Sequence, residues 1–128
     1  MSCALVVDDS SVQVNNVAAA LVRAGYGPVY VATDWAECRV ALMKDAPDLI
    51  VIDIQMDGMV SGDVMVMQLR RNPRAAKARF VLYSGVVNTN ELQVLASRCH
   101  ADAFLVKGDD EALVKLCTEL VPVAVPAE

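Results

Sequence analysis

Leu49-Ile50-Val51-Ile52-Asp53 is a run of four branched apolar residues closed by a single acid. A continuous apolar run of this length reads as a strand covered on both faces, as in a parallel sheet. An acid that ends such a run sits where burial demands a partner for its charge. Upstream, Asp34-Trp35-Ala36-Glu37 has the spacing of a capping box and opens a helix that ends before Pro47. Downstream, a polar loop from Asp57-Gly58 to Gly62 leads to a helix expected to turn Val64, Met67 and Leu69 inward and to close near Asn72-Pro73.

The same alternation extends in both directions. Cys3-Ala4-Leu5-Val6-Val7 is a second apolar run, followed by Asp8 and Asp9. Ser10 or Ser11 then caps a helix with Val14, Val17, Ala18, Leu21 and Val22 at helical spacing, stopped by Gly25. Gly27-Pro28 turns the chain into Val29-Tyr30-Val31-Ala32. Phe80-Val81-Leu82-Tyr83 ends in Ser84-Gly85, a helix from about Asn90 to Cys99 follows, and Ala103-Phe104-Leu105-Val106 ends in Lys107-Gly108. The last helix starts near Asp109 and buries Leu113, Leu116, Cys117 and Leu120. Five β-α units with short connections predict one doubly wound α/β domain, a parallel sheet with helices on both faces, over residues 1–121. Residues 122–128, with Pro122 and Pro126, are expected to form a tail or linker stub.

Composition excludes several function classes. Sixteen acidic against 11 basic residues give a net charge of −5 in 128 residues, which argues against binding nucleic acid phosphates. One Trp, three Tyr and two Phe are too few for a base-stacking surface. Apolar runs are broken by charges well short of the roughly 18 residues of a membrane-spanning helix, and the N-terminus has no basic region before an apolar stretch. The four cysteines are scattered, so they read as reduced, buried hydrophobes of a cytoplasmic protein. Cys99-His100 is not expected to bind metal, because neighbours on a helix diverge by about 100°. Met56, Met59, Met65 and Met67 read as core or loop filler.

Four of the five strands end in polar side chains that their apolar runs do not require: Asp8 and Asp9, Asp53, Ser84 and Lys107. In an open parallel sheet, ligands bind at the carboxyl ends of the strands where the winding reverses. If the first and third strands are neighbours there, three carboxylates converge and raise one another's pKa unless a cation joins them. A hard divalent ion such as Mg²⁺ suits oxygen ligands of this kind. An ammonium and a hydroxyl beside such a site make a receptor for a tetrahedral oxyanion, and a carboxylate can itself accept a phosphoryl group. Each residue also has a plainer reading: helix N-terminal acids, a loop acid, an ordinary Ser-Gly turn, and a lysine paired with Asp109 and Asp110.

Leu5-Val6-Val7-Asp8-Asp9-Ser10, Asp48 through Met56, Val81-Leu82-Tyr83-Ser84-Gly85 and Phe104-Leu105-Val106-Lys107 occur in order, each at a strand end. Together they resemble the CheY-like receiver domain of two-component response regulators, over about Val6 to Leu120. The resemblance implies a flavodoxin-like sheet in the order 2-1-3-4-5. It implies Asp53 as phosphoacceptor, Asp9 as a direct Mg²⁺ ligand, Asp8 acting on the metal mainly through water, and the Gln55 backbone carbonyl completing the protein ligands. Ser84 and Lys107 would each bind a phosphoryl oxygen, and Phe104 occupies the position of the aromatic switch residue, its rotamer following Ser84.

The sequence departs from the family pattern at three places. Gly108 replaces the usual cis-proline after the lysine, Asp57 replaces a common proline, and the loop before Gly62 is one residue longer. The two positions that tune phosphate lifetime hold Gln55 and Val86. The resemblance implies a phosphorelay receiver that is not a turnover enzyme. Its partners would be a histidine kinase or histidine phosphotransfer protein and a downstream protein contacting the face from Asn90 to Leu120. The departures raise an alternative, a pseudo-receiver that binds partners independently of phosphate. A third class, an aspartate-nucleophile phosphatase, is disfavoured because Gln55 stands where such enzymes carry a second acid.

Overall fold

The computed structural model describes residues 2–55, 61–85 and 88–123. The chain order is β1 (Ala4–Val7), α1 (Ser11–Ala24), β2 (Val29–Ala32), α2 (Trp35–Lys44), β3 (Leu49–Ile52), α3 (Gly62–Leu69), β4 (Arg79–Ser84), α4 (Thr89–Cys99), β5 (Ala103–Val106) and α5 (Asp110–Leu120). All strand pairings are parallel, in the order β2-β1-β3-β4-β5. The doubly wound fold expected from the sequence is therefore the fold observed, and winding reverses between β1 and β3.

β1 and β3 are buried along their whole length, as strands covered on both faces must be. The edge strands β2 and β5 are mostly half-buried. Two cores result. One packs α2, α3 and α4 residues such as Leu42, Met65, Leu69 and Leu92 against Ile50, Ile52, Phe80 and Leu82. The other packs Val14, Val17, Leu21, Leu113 and Cys117 of α1 and α5 against Val6, Val51, Val81 and Tyr83.

Local signals account for most element ends. Ser10 caps α1 through Gln13 N, and Gly25 closes it in the left-handed conformation at φ 111°. Asp34 accepts from Glu37 N at 2.8 Å, and Glu37 Oε1 accepts in return from Thr33 N at 2.7 Å. Asn88 and Asp109 cap α4 and α5. At the far end of the chain, Val123 packs against the α1–α5 core and Pro122 O accepts from the Ser2 hydroxyl at 3.3 Å.

Three helix faces differ from expectation. In α5 only Leu113 and Cys117 of the expected four are buried, while Leu116 and Leu120 are half-buried against the same core. In α3, Val64 is half-buried and Met67 exposed; the inward face is Gly62, Met65, Val66 and Leu69. The cause is Gly62, which is pressed onto the end of β3 and thereby sets the i, i+3, i+4, i+7 face of the helix. In α1, Val22 is 57% exposed, because the buried column of Val14, Val17, Ala18 and Leu21 ends one residue before it. Cys99 is buried in the core while His100 is the exposed left-handed cap of α4, so the two side chains diverge. The expectations for Met56, Asp57, Met59 and Val86, and for the tail beyond Val123, fall outside the described residues.

Candidate functional site

Parallel pairing brings the strand ends level. Asp53 N donates to Val7 O at 3.0 Å, Asp8 N to Ala32 O at 3.1 Å and Lys107 N to Ser84 O at 2.9 Å. These bonds carry the ladder one residue past each strand. The side chains of Asp8, Asp53 and Lys107 are thus placed at one edge, over the point of reversal.

Asp8, Asp9 and Asp53 each offer a carboxylate oxygen within 4.8 Å of the others. Asp8 and Asp53 are buried and Asp9 is half-buried. Lys107 Nζ lies 2.7 Å from Asp8 Oδ2 and 3.4 Å from Asp53 Oδ2. It also donates to Gln13 Oε1. Asp8 Oδ1 accepts from Ser10 N at 3.0 Å, which folds the chain from β1 into α1. The plainer reading, a lysine paired with its neighbouring acids, does not hold: the Lys107 ammonium goes to Asp8 and Asp53, while Asp109 caps α5 and Asp110 accepts from Tyr83.

Burial pushes the Asp53 carboxyl above its ordinary pKa. The Lys107 charge pulls it back, the Asp8 charge raises it, and hydrogen bonds from Lys107 and Ser84 lower it. Ser84, wholly buried at the end of β4, is therefore in contact with the Asp53 carboxylate. Gln55 is exposed, two residues beyond Asp53. Phe104 is half-buried on β5, paired with Leu82 and packed on the α4-side core.

Asp53 Oδ1 is buried and has no hydrogen-bond partner among the described residues. An orphaned carboxylate oxygen, with two further carboxylates beside it and one lysine for three charges, is a donor set short of a cation. All the donors are hard oxygens, so the residues fit a divalent ion of the Mg²⁺ type.

Sequence reading missed two contributors. Gly62 N donates to Ile54 O at 2.8 Å, and a Cβ at Gly62 would overlap the Asp53 carbonyl oxygen and lie 2.8 Å from its carbon. Only glycine allows α3 to close over the end of β3 in this way. Gln13 is the second. The Ser10-x-x-Gln13 spacing has the form of a capping box, but the Gln13 side chain goes to Lys107 instead.

The family model for the response regulator receiver domain matches residues 4–118. The chain belongs to that family. Among solved structures, the receiver is similar to chemotaxis protein CheY4 of Vibrio cholerae, with 25% identity and TM-score 0.82 over 94% of this chain and 99% of that one. It is equally similar to NtrX of Brucella abortus, with 25% identity and TM-score 0.82, although this covers 94% of the receiver and only 27% of NtrX. A CheY-like receiver domain protein of Methanospirillum hungatei, at 19% identity and TM-score 0.78 over 93% and 92% of the two chains, shares the fold. No curated protein matches the receiver by sequence. None of its described helices is long and apolar enough to cross a membrane.

Proposed function

We propose that this receiver accepts a phosphoryl group on Asp53 from a histidine kinase or histidine phosphotransfer protein and thereby changes its binding to a downstream protein. The observation that carries this reading is the state of Asp53: one oxygen buried without a partner, the other 3.4 Å from Lys107 Nζ. A carboxylate in that setting is desolvated and keeps one oxygen uncommitted to any hydrogen bond among the described residues, which is what a nucleophile needs.

In the transfer, an Asp53 oxygen forms the O–P bond as the P–N bond to the donor imidazole breaks, and the imidazole takes up a proton as it leaves. Ser84 and Lys107 then hold two phosphoryl oxygens, and each interaction is charge-assisted. Lys107 gives up part of its pairing with Asp8 and Gln13 to do so. Asp9, Asp53 and the Gln55 carbonyl would hold Mg²⁺, with Asp8 contributing mainly through water; both Asp8 oxygens already accept hydrogen bonds. Bound there, the ion would neutralise negative charge on the carboxylates and the transferring group. Movement of Ser84 towards the phosphoryl group would draw Phe104 after it by packing, since Phe104 has no hydroxyl, and so alter the face from Asn90 to Leu120. The reading places the protein in the cytoplasm with no turnover activity of its own.

The test is an NMR titration with beryllofluoride and Mg²⁺. Shifts spreading from Asp53 to Ser84, Phe104 and α4 are expected, and Asp53→Asn should abolish them. No response at millimolar metal, or partner binding that is unchanged in Asp53→Asn, would favour the phosphate-independent module instead.

A further inference from the structure

Tyr83 is 3% exposed and belongs to the α1–α5 core, yet its hydroxyl leaves β4 and donates to Asp110 Oδ1 at 2.7 Å. Tyr83 directly precedes Ser84, and Asp110 opens α5 after Lys107-Gly108-Asp109. The bond therefore ties the strand that carries Ser84 to the helix that ends the Lys107 turn.

That turn needs such a tie. Gly108 adopts φ 139°, and a Cβ there would meet no atom within 4 Å. The turn borders an open cleft of about 320 Å³ lined by Gln13, Asn16, Tyr83, Lys107, Gly108 and Asp110. Glycine torsion and empty space give the turn freedom that packing does not remove. Burial, with the Asp110 hydrogen bond, pushes the Tyr83 hydroxyl up to about 12, so it remains a donor across the working range. On the near side the turn is held by Lys107 N donating to Ser84 O at 2.9 Å, and on the far side by Tyr83 and Asp110.

We propose that Tyr83 and Asp110 are a positioning pair that fixes the turn after β5 and, through it, the Lys107 ammonium against Asp8 and Asp53. Its consequence for phosphorylation rests on the function proposed above; its effect on Lys107 does not. The pair replaces by a hydrogen bond the restraint that a rigid residue at position 108 would impose through the backbone.

The experiment measures the rate at which a water-soluble amine reagent modifies Lys107, read by peptide mass spectrometry against Lys44, Lys77 and Lys115 in the same molecules. Tyr83→Phe and Asp110→Ala should each speed Lys107 modification about fivefold, the change an ordinary intramolecular hydrogen bond permits. Asp110→Asn keeps an acceptor oxygen and should match the unaltered protein, and the double variant should exceed neither single one. The fast-reacting variants should also be phosphorylated more slowly on Asp53 by acetyl phosphate. Lys107 reactivity unchanged in Asp110→Ala, a variant at a helix end whose thermal midpoint shows whether it is folded, would overturn the pair. A rise shared by all four lysines would overturn it too, as general loosening. Selective change at Lys107 in a protein that acetyl phosphate never modifies would support the pair and overturn the proposed function.

Discussion

Lys107 Nζ stands 3.4 Å from Asp53 Oδ2, although the two residues extend strands separated in the sheet by β4. The same ammonium is held at 2.7 Å by Asp8. One lysine is thus shared between two acids, and a third, Asp9, completes their cluster. The arrangement leaves negative charge in excess at a buried site, and several measurable consequences come from that excess.

The first concerns pH. Asp53 titrates above its ordinary range in the folded protein because burial disfavours the charged form. A raised carboxylate contributes stability while protonated. That contribution is complete below the unfolded-state pKa and is lost as pH rises through the folded one. Metal-free protein should therefore lose stability from this group as pH climbs out of the ordinary carboxylate range. Asp53→Asn should flatten that slope and be the more stable at neutral pH. Denaturant titrations in chelator across this range check it; an identical slope in both proteins would contradict it.

The second concerns metal. An ion that binds the folded cluster and not the unfolded chain stabilises by mass action, about 2.7 kcal/mol at about a hundred times its Kd. Mg²⁺ should raise the thermal midpoint of the unaltered protein in a concentration-dependent way. Asp9→Asn should shift the midpoint series to higher metal concentration, and Asp9→Asn with Asp53→Asn should remove the dependence. Calorimetric scans with and without chelator measure this.

The third concerns Gly62. A methyl at this position overlaps the Asp53 carbonyl, and backbone atoms cannot swing aside as a flexible side-chain end can. Gly62→Ala should cost about 1–3 kcal/mol, as overpacking does. It should also disturb the backbone that aims Asp53. Met67→Ala, on the exposed side of the same helix, should cost far less. Paired denaturation curves separate the two effects.

The history of that helix also shows where sequence reading holds and where it stops. The strands were legible because four of the five apolar runs end sharply at a polar residue of the site, and the reversal between β1 and β3 then brings Asp8, Asp9 and Asp53 together. The inward face of α3 was not legible. Val64 and Met67 are as apolar as Met65 and Val66, so hydrophobicity alone cannot choose between adjacent faces. The choice is made by the contact between Gly62 and the end of β3, which is tertiary. Gln13 was missed for a similar reason: nothing in its local spacing announces a lysine arriving from β5. Tyr83 looked like one more apolar strand residue, and its hydroxyl has a partner only because α5 begins beside it.

The most direct measurement is the covalent state of the protein after incubation with acetyl phosphate and Mg²⁺. Intact-mass and peptide mass spectrometry, performed under conditions that preserve acyl phosphates, should find one added phosphoryl group located on Asp53. It should be absent in Asp53→Asn and reduced in Lys107→Ala. An unmodified protein at millimolar metal, or a phosphoryl group on another residue that persists in Asp53→Asn, would contradict the role assigned to Asp53.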